Sequence, residues 1–282
     1  MNILINFYKL FIFTFLLSTL SSNSLAISSD WSVSETSKLR LISPYSQNDT
    51  KNLLIGLEYE MESGWKTYWK SPGDGGFAQS ISWGNSTNVK NVNILWPTPI
   101  EFEILGLTSL GYQNDVIFPL EIELEDELQN TFLNLHVTFL ICKEVCIPGD
   151  ATLFLEIPSG EKKLNDNYFN LEKALSLLPE DDFKSSYVSD IDLKTYSDDN
   201  KSFIQLHIES EKVFYNPQIF LHSPFGLPVV KNSINYSSDN KKIITDFSFD
   251  KKLFSEKKFP LEIIIKDKNH NFKQKKYVEP SL

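Results

Sequence analysis

Apolar and polar residues alternate along many stretches of the chain, a pattern typical of β-strands with one buried face. In the N-terminal half the apolar positions are Leu53, Ile55, Leu57, Tyr59 and Met61, then Val116, Phe118, Leu120, Ile122 and Leu124, then Leu133, Leu135, Val137, Phe139 and Ile141, then Ala151, Leu153, Leu155 and Ile157. In the C-terminal half they are Ile204, Leu206 and Ile208, then Ile243, Thr245, Phe247 and Phe249, then Leu261, Ile263 and Ile265. The pattern predicts an all-β protein with one helical interruption.

That interruption lies between the two groups of strands. Apolar residues there recur at helical spacing, and Pro179 ends the pattern. The residues at this spacing are Tyr168, Leu171, Ala174, Leu175 and Leu178. We therefore predict a helix within residues 165–180, which would be the only substantial helix of the chain.

Many short strands separated by turn-forming clusters favour antiparallel β-sandwiches. We predict a β-sandwich at residues 27–160, a short helical linker at 161–184 and a second β-sandwich at 185–282, whose role the sequence does not indicate.

The first 26 residues are typical of a secretory signal peptide. Lys9 precedes an apolar run from Leu10 to Leu20, and Ser24 and Ala26 occupy the positions expected before a cleavage site. The alternative is an uncleaved membrane anchor, but the run is shorter than the roughly 20 residues that a membrane span needs. We therefore expect a cleaved signal and a soluble, exported protein with no stable membrane insertion.

Charge excludes one class of partner. The full chain has a net charge of −10, and loss of Lys9 with the signal would make the remainder more acidic still. Nucleic acid requires a basic surface, so we do not expect it as a partner.

The two cysteines, Cys142 and Cys146, are the candidate chemistry. They flank a three-residue turn between two predicted strands. Strand parity places Cys142 on the outer face of its sheet, opposite the core residues Phe139 and Ile141, where we expect another protein to reach it. In an exported protein such a pair will form a disulfide.

Spacing alone leaves three readings of the pair open. A structural disulfide that closes so small a loop would contribute only about 2 kcal/mol. A redox-active disulfide is the second reading, since a small ring between strand ends is strained and easier to reduce. Metal binding is the third, but His136 would lie roughly 20 Å from Cys142 along the strand, too far for a shared site.

Four blocks of sequence, in this order, resemble the N-terminal periplasmic domain of the DsbD family of protein-disulfide reductases, and within it the ScsB-like branch. The blocks are Gly64-Trp65-Lys66-Thr67-Tyr68-Trp69-Lys70-Ser71-Pro72-Gly73-Asp74, Trp96-Pro97-Thr98-Pro99, Gly106 to Tyr112, and Ile141-Cys142-Lys143-Glu144-Val145-Cys146-Ile147-Pro148-Gly149. The resemblance covers about residues 30–160. In the better-known DsbD form the cysteines are five residues apart, so the loop here is shorter.

The resemblance implies an immunoglobulin-like sandwich whose cysteines carry electrons without a cofactor. It implies that a partner thiol attacks Cys146 and that Cys142 is the resolving thiol. It also implies that Tyr68 and Trp65 neighbour the disulfide, although core packing is the simpler interpretation of the tryptophans. A cap loop at about 102–107 would place Ile104 and Leu105 over the disulfide.

The family's full-length members also carry a transmembrane domain and a thioredoxin-like domain, and Leu282 ends this sequence without either. We therefore expect a periplasmic component of a protein-disulfide reductase. Its partners would be a membrane electron transporter of the DsbD or CcdA type, thioredoxin-like proteins and oxidised periplasmic clients. The alternative is a non-catalytic periplasmic module that binds proteins and carries a structural disulfide.

Signal cleavage should leave a mature protein that begins near Ile27, because Ser24-Leu25-Ala26 forms the cleavage site. Mass spectrometry of the exported protein tests this. A membrane-bound product that retains residues 1–26 would show that the segment is an anchor.

Overall fold

The protein is described here by a computed structural model that covers residues 27–181, 187–198, 201–224, 230–250, 258–268 and 270–279. The predicted signal peptide lies outside these residues. Within them no helix is both long and apolar enough to cross a bilayer.

The N-terminal half forms two antiparallel sheets of six strands each. In the first sheet the order is β1-β3-β4-β10-β7, with β2 beside β3; these strands are Ile27–Ser28 (β1), Ser32–Val33 (β2), Ser37–Ser43 (β3), Asn52–Met61 (β4), Val89–Ile94 (β7) and Asp115–Leu124 (β10). In the second the order is β12-β11-β5-β9-β8, with β6 beside β11; these strands are Lys66–Gly73 (β5), Ser80–Ser82 (β6), Ile100–Ile104 (β8), Leu107–Gln113 (β9), Thr131–Cys142 (β11) and Cys146–Ile157 (β12).

The alternating apolar residues of these strands form the core between the two sheets. Phe118, which has no exposed surface, lies at its centre. Its ring makes edge-to-face contacts with Tyr59, Trp96 and Tyr112 at centroid distances of 5.5, 5.3 and 5.0 Å. Such aromatic contacts add to the stability gained from burying the apolar area itself.

The chain leaves this sandwich through one helix, α1 (Tyr168–Leu175), the only α-helix among the described residues. Leu171 and Ala174 are buried, as the helical spacing predicts. The helix is shorter than the predicted range of 165–180. Residues 176–178 continue it only as turns, whose amide groups bond back to residues 172–175.

The C-terminal half forms two smaller antiparallel sheets. The four-stranded sheet has the order β13-β14-β17-β16 and consists of Val188–Ser197 (β13), Lys201–Ser210 (β14), Val230–Tyr236 (β16) and Lys242–Asp250 (β17). The three-stranded sheet has the order β15-β18-β19 and consists of Gln218–His222 (β15), Phe259–Asp267 (β18) and His270–Val278 (β19). A second apolar core lies between them, built on Leu206, Phe247 and Ile263 among others.

The predicted all-β fold with immunoglobulin-like sandwiches is confirmed. We call the two halves the N-terminal and the C-terminal sandwich. The boundaries 27–160, 161–184 and 185–282 stay predictions, because sheet membership alone does not define where independently folding units begin and end.

Replacing Phe118 with Ala should destabilise the N-terminal sandwich by about 3–5 kcal/mol, because it leaves a cavity among three aromatic rings. The five tryptophans all precede residue 97, so their fluorescence during urea unfolding reports on this sandwich. Phe154→Ala is the matched control, since that side chain is 63% exposed. A similar loss in both variants would contradict the central position of Phe118.

Candidate functional site

The two cysteines lie at the tip of the hairpin formed by β11 and β12. The ladder between these strands pairs every residue from Thr131↔Ile157 to Cys142↔Cys146 without interruption. Cys142 therefore ends one strand and Cys146 begins the next. The disulfide joins them directly across the hairpin, with an S–S distance of 2.03 Å.

The two sulfur-bearing residues differ sharply in exposure. Cys142 has no exposed surface, whereas Cys146 is exposed. The predicted outer-face position of Cys142 is confirmed, because its neighbour Ile141 belongs to the sandwich core and Cys142 does not. The prediction that another protein could reach Cys142 is wrong, since side chains from neighbouring strands cover it.

Tyr68, on β5, provides the polar contact to the disulfide. Its hydroxyl donates a hydrogen bond to Cys142 Sγ at 3.0 Å and lies 3.8 Å from Cys146 Sγ. Tyr68 is 1% exposed, and burial raises the pKa of its phenol. The group therefore stays protonated at neutral pH and remains a hydrogen-bond donor to sulfur.

An apolar cluster surrounds the buried sulfur. Its members are Tyr68, Ile104, Leu140 and Cys142, with Phe102 packed against them. The rings of Tyr68 and Phe102 lie 5.9 Å apart. Phe102 and Ile104 come from β8, so the predicted cap segment does reach the disulfide. Cys142 is thus shielded from water as well as from other proteins.

The tip of the β8–β9 hairpin places Leu105 differently from Ile104. Ile104 is 5% exposed and Leu105 is 74% exposed. Leu105 and Gly106 both have positive φ, 53° and 78°, as a tight two-residue hairpin turn requires. Glycine adopts this conformation freely, but for leucine it is strained. The turn therefore holds an apolar side chain out in solvent.

A glycine-rich loop fixes the Tyr68 ring from the other side. Gly76 has a φ of 101°, and a Cβ atom there would lie 2.3 Å from Cζ of Tyr68. Any larger residue at position 76 would displace the ring. Ser109, from β9, bonds the same loop through its hydroxyl to the Gly75 carbonyl at 3.2 Å.

The residues between the cysteines lie on the surface. Lys143 donates a hydrogen bond from Nζ to the Ser63 carbonyl at 3.2 Å, and its side chain packs over Gly64. Glu144 is exposed. Trp65, which the resemblance places near the disulfide, is partly buried and packs against the sandwich core.

The metal-binding reading gains nothing from the structure. No group of three or more His, Cys, Asp or Glu side chains comes together among the residues it describes. His136 is exposed and contacts Thr152 at 3.3 Å.

Of the residues named from the sequence, the structure therefore brings four together: Cys142, Cys146, Tyr68 and Ile104. Leu140, Phe102 and Gly76 join them. Strand parity by itself places Leu140, two residues before Cys142, on the same outer face. No sequence signal could have found Gly76, because its contact with Tyr68 arises between separate segments.

The N-terminal sandwich also matches a known family. Residues 38–158 match the sequence profile described as "Thiol:disulfide interchange protein DsbD, N-terminal". Among solved structures, the N-terminal periplasmic domain of ScsB from Proteus mirabilis is similar, with a TM-score of 0.72 and 22% identity. That match covers 91% of this chain and 100% of the ScsB domain. At this identity it establishes the shared fold across both sandwiches. A search of curated protein sequences found no match.

Removing the Ile104 side chain should speed the reaction of the Cys142 thiol with a small alkylating reagent. The comparison is made in Cys146→Ala protein, where Cys142 is the single thiol. Adding Ile104→Ala should increase the alkylation rate, because this side chain belongs to the apolar cluster that contains the buried Cys142. Adding Leu105→Ala is the control and should leave the rate unchanged. Equal rates in all three proteins would remove Ile104 as a shield.

Proposed function

We propose that this protein passes reducing equivalents in the periplasm by thiol–disulfide exchange, because residues 38–158 match the DsbD N-terminal family and the two cysteines in this region are joined in a disulfide. The donors would be a membrane electron transporter of the DsbD or CcdA type and thioredoxin-like proteins. The acceptors would be oxidised periplasmic proteins. The observation that carries the proposal is the asymmetry of the disulfide, with one sulfur exposed and the other buried beside a hydrogen-bond donor.

Exposure decides which sulfur is attacked. A thiolate displaces the leaving sulfur in line with the S–S bond, so it must reach the attacked sulfur from outside. Cys146 is exposed and Cys142 is fully buried. We expect the donor thiolate to bond to Cys146 Sγ while the S–S bond breaks and Cys142 leaves as a thiolate.

The second step completes the transfer of two electrons. The second thiol of the donor attacks its own sulfur in the mixed disulfide and releases Cys146 as a thiolate. The donor is oxidised to a disulfide, and the pair is reduced and takes up protons from solvent. A client is then reduced by the reverse sequence: Cys146 attacks the client disulfide, and Cys142 resolves the mixed disulfide.

Tyr68 would assist the step in which Cys142 leaves. A hydrogen bond to a charged acceptor is roughly twice as strong as one to a neutral acceptor. The Tyr68 hydroxyl, 3.0 Å from Cys142 Sγ, therefore stabilises the thiolate more than it stabilises the disulfide. The hydrogen bond would therefore offset part of the cost of placing a thiolate in apolar surroundings.

A partner would dock on the apolar side chains that surround the exposed sulfur. Val145 and Ile147 flank Cys146 and are 58% and 39% exposed. Leu105 and Leu107, at the tip of the cap hairpin, are 74% and 44% exposed. The strained backbone of Leu105 supports a functional role, because such conformations persist where function requires them.

The alternative function is a protein-binding module with a structural disulfide. The burial of Cys142 is compatible with it, since structural disulfides are commonly shielded. Reducibility separates the two functions: a reduction potential below about −300 mV would favour the structural reading.

The two cysteines should differ in their ability to trap a donor. In Cys142→Ala, Cys146 is first converted to a mixed disulfide with thionitrobenzoate. The attacking thiolate of a donor that lacks its second cysteine then displaces thionitrobenzoate from Cys146, and the covalent complex should accumulate because neither protein has a thiol left to resolve it. Cys146→Ala removes the accessible sulfur and should trap little or none. Non-reducing gels of each variant mixed with a thioredoxin-like donor measure the complex.

The matched control is Cys142→Ala with a donor that lacks its own attacking cysteine, which should give no complex. Trapping by Cys146→Ala alone would reverse the assigned roles. If neither variant traps any thioredoxin-like protein and these proteins do not reduce the wild-type disulfide, the structural alternative is the better explanation.

A further inference from the structure

The strand that carries Tyr68 pairs with its own sheet over only part of its length. On one side β5 pairs with β11 at a single position, Lys66↔Cys142. On the other side its ladder with β9 runs from Lys66 to Tyr68 and then breaks, and it resumes only at Gly73. The residues directly after Tyr68 therefore lack regular strand partners within the N-terminal sandwich.

The C-terminal sandwich provides the missing contacts to this segment. Trp69 packs against Phe220 and His222 at centroid distances of 6.3 and 6.0 Å. Lys70 Nζ forms an ion pair with Glu262 Oε1 at 2.6 Å. The Ser71 hydroxyl lies 2.7 Å from His222 Nδ1, within hydrogen-bond distance.

These contacts come from one face of one sheet. His222 and Glu262 are direct cross-strand partners in the ladder between β15 and β18. Phe220 and its partner Ile264 lie on the same face and belong to the core of the N-terminal sandwich. The alternate residues, among them Leu221 and Ile263, face the C-terminal core. The sheet β15-β18-β19 is therefore packed on both sides.

We call the contacts of residues 69–71 with the C-terminal sandwich the junction. Its ion pair is largely buried. The side chains of Lys70 and Glu262 are 18% and 25% exposed. Burial lowers the pKa of Lys70, and Glu262 opposes this effect. Burial, followed by the charge of Lys70, lowers the pKa of His222 to about 4. His222 is therefore neutral at pH 7, and the junction contains one ion pair and one neutral hydrogen bond.

We propose that the C-terminal sandwich is a positioning element for the redox pair: through Phe220, His222 and Glu262 it holds residues 69–71 and thereby keeps the Tyr68 hydroxyl on Cys142. This gives the C-terminal sandwich a role in the exchange reaction. The proposal rests on the function proposed above, because a tuned sulfur matters only if the disulfide is exchanged.

The positioning role predicts the direction in which loosening the junction shifts the equilibrium between the reduced pair and the disulfide. When Tyr68 is held in place, its hydrogen bond stabilises the Cys142 thiolate and so favours the reduced pair. When the junction is loosened, the hydroxyl is held less well and the disulfide is favoured. A direct charge effect has the opposite sign, because removing the negative charge of Glu262 would stabilise a thiolate and favour the reduced pair.

The test is the equilibrium between the cysteine pair and glutathione redox buffers, measured on the whole mature protein. Tyr68→Phe should shift the equilibrium constant roughly tenfold toward the disulfide, which corresponds to about 30 mV. Glu262→Gln and His222→Ala should shift it in the same direction by a smaller factor. Glu209→Gln is the matched control, since it removes the exposed ion pair with Lys242 in the other C-terminal sheet, and it should change nothing.

Additivity tests whether the junction acts through Tyr68. Adding His222→Ala to Tyr68→Phe should give no shift beyond that of Tyr68→Phe alone. Ser71→Ala, which removes one hydroxyl, carries the same test if His222→Ala fails to fold. The proposal is overturned if the junction variants match wild type, if Glu262→Gln favours the reduced pair, or if the shifts add.

Failure of the proposed function gives a different result. In that case thioredoxin-like donors would not reduce the wild-type disulfide, whatever the junction variants do in glutathione. If those donors reduce the wild-type protein and the junction variants leave its equilibrium constant unchanged, only the positioning role is excluded.

Discussion

The register between β11 and β12 is the constraint on which the rest of the site depends. Because the ladder is unbroken over its full length, it fixes which side chains face the core and which face outward. A slip of one residue would move Phe139 and Ile141 out of the core and put Cys142 into it. The same register places the two cysteines opposite each other at the hairpin tip. One register therefore fixes both the position of the disulfide and the packing of the core.

The buried position of Cys142 then requires a compensating donor. A thiolate in an apolar environment is costly, and the cluster of Ile104, Leu140 and Phe102 provides no polar group. The Tyr68 hydroxyl meets this need, and the approach of Gly76 keeps its ring in place. Shielding and stabilisation are thus separated: β8 covers the sulfur, while β5 provides its hydrogen bond.

Strand β5 serves two parts of the molecule at once. Tyr68 faces the disulfide, whereas the next residue, Trp69, lies in the core that the C-terminal sheet completes through Phe220 and Ile264. Adjacent residues on a strand point to opposite faces, so a shift of one affects the other. The two sandwiches are therefore linked at the strand closest to the chemistry.

The sequence by itself determined the strands, the helix α1 and the outer-face position of Cys142, because each of these follows from the spacing of apolar residues along the chain. Its motifs also identified Tyr68 and the cap segment through their resemblance to a known family. Only the tertiary structure decided that Cys142 is buried, that Ile104 covers it while Leu105 does not, and that Trp65 packs in the core. It also decided that Glu262 and His222 hold β5. Spacing reports the face on which a side chain lies. What covers that face depends on segments distant in the chain: Leu140 lies 36 positions after Ile104, and Glu262 lies 192 positions after Lys70.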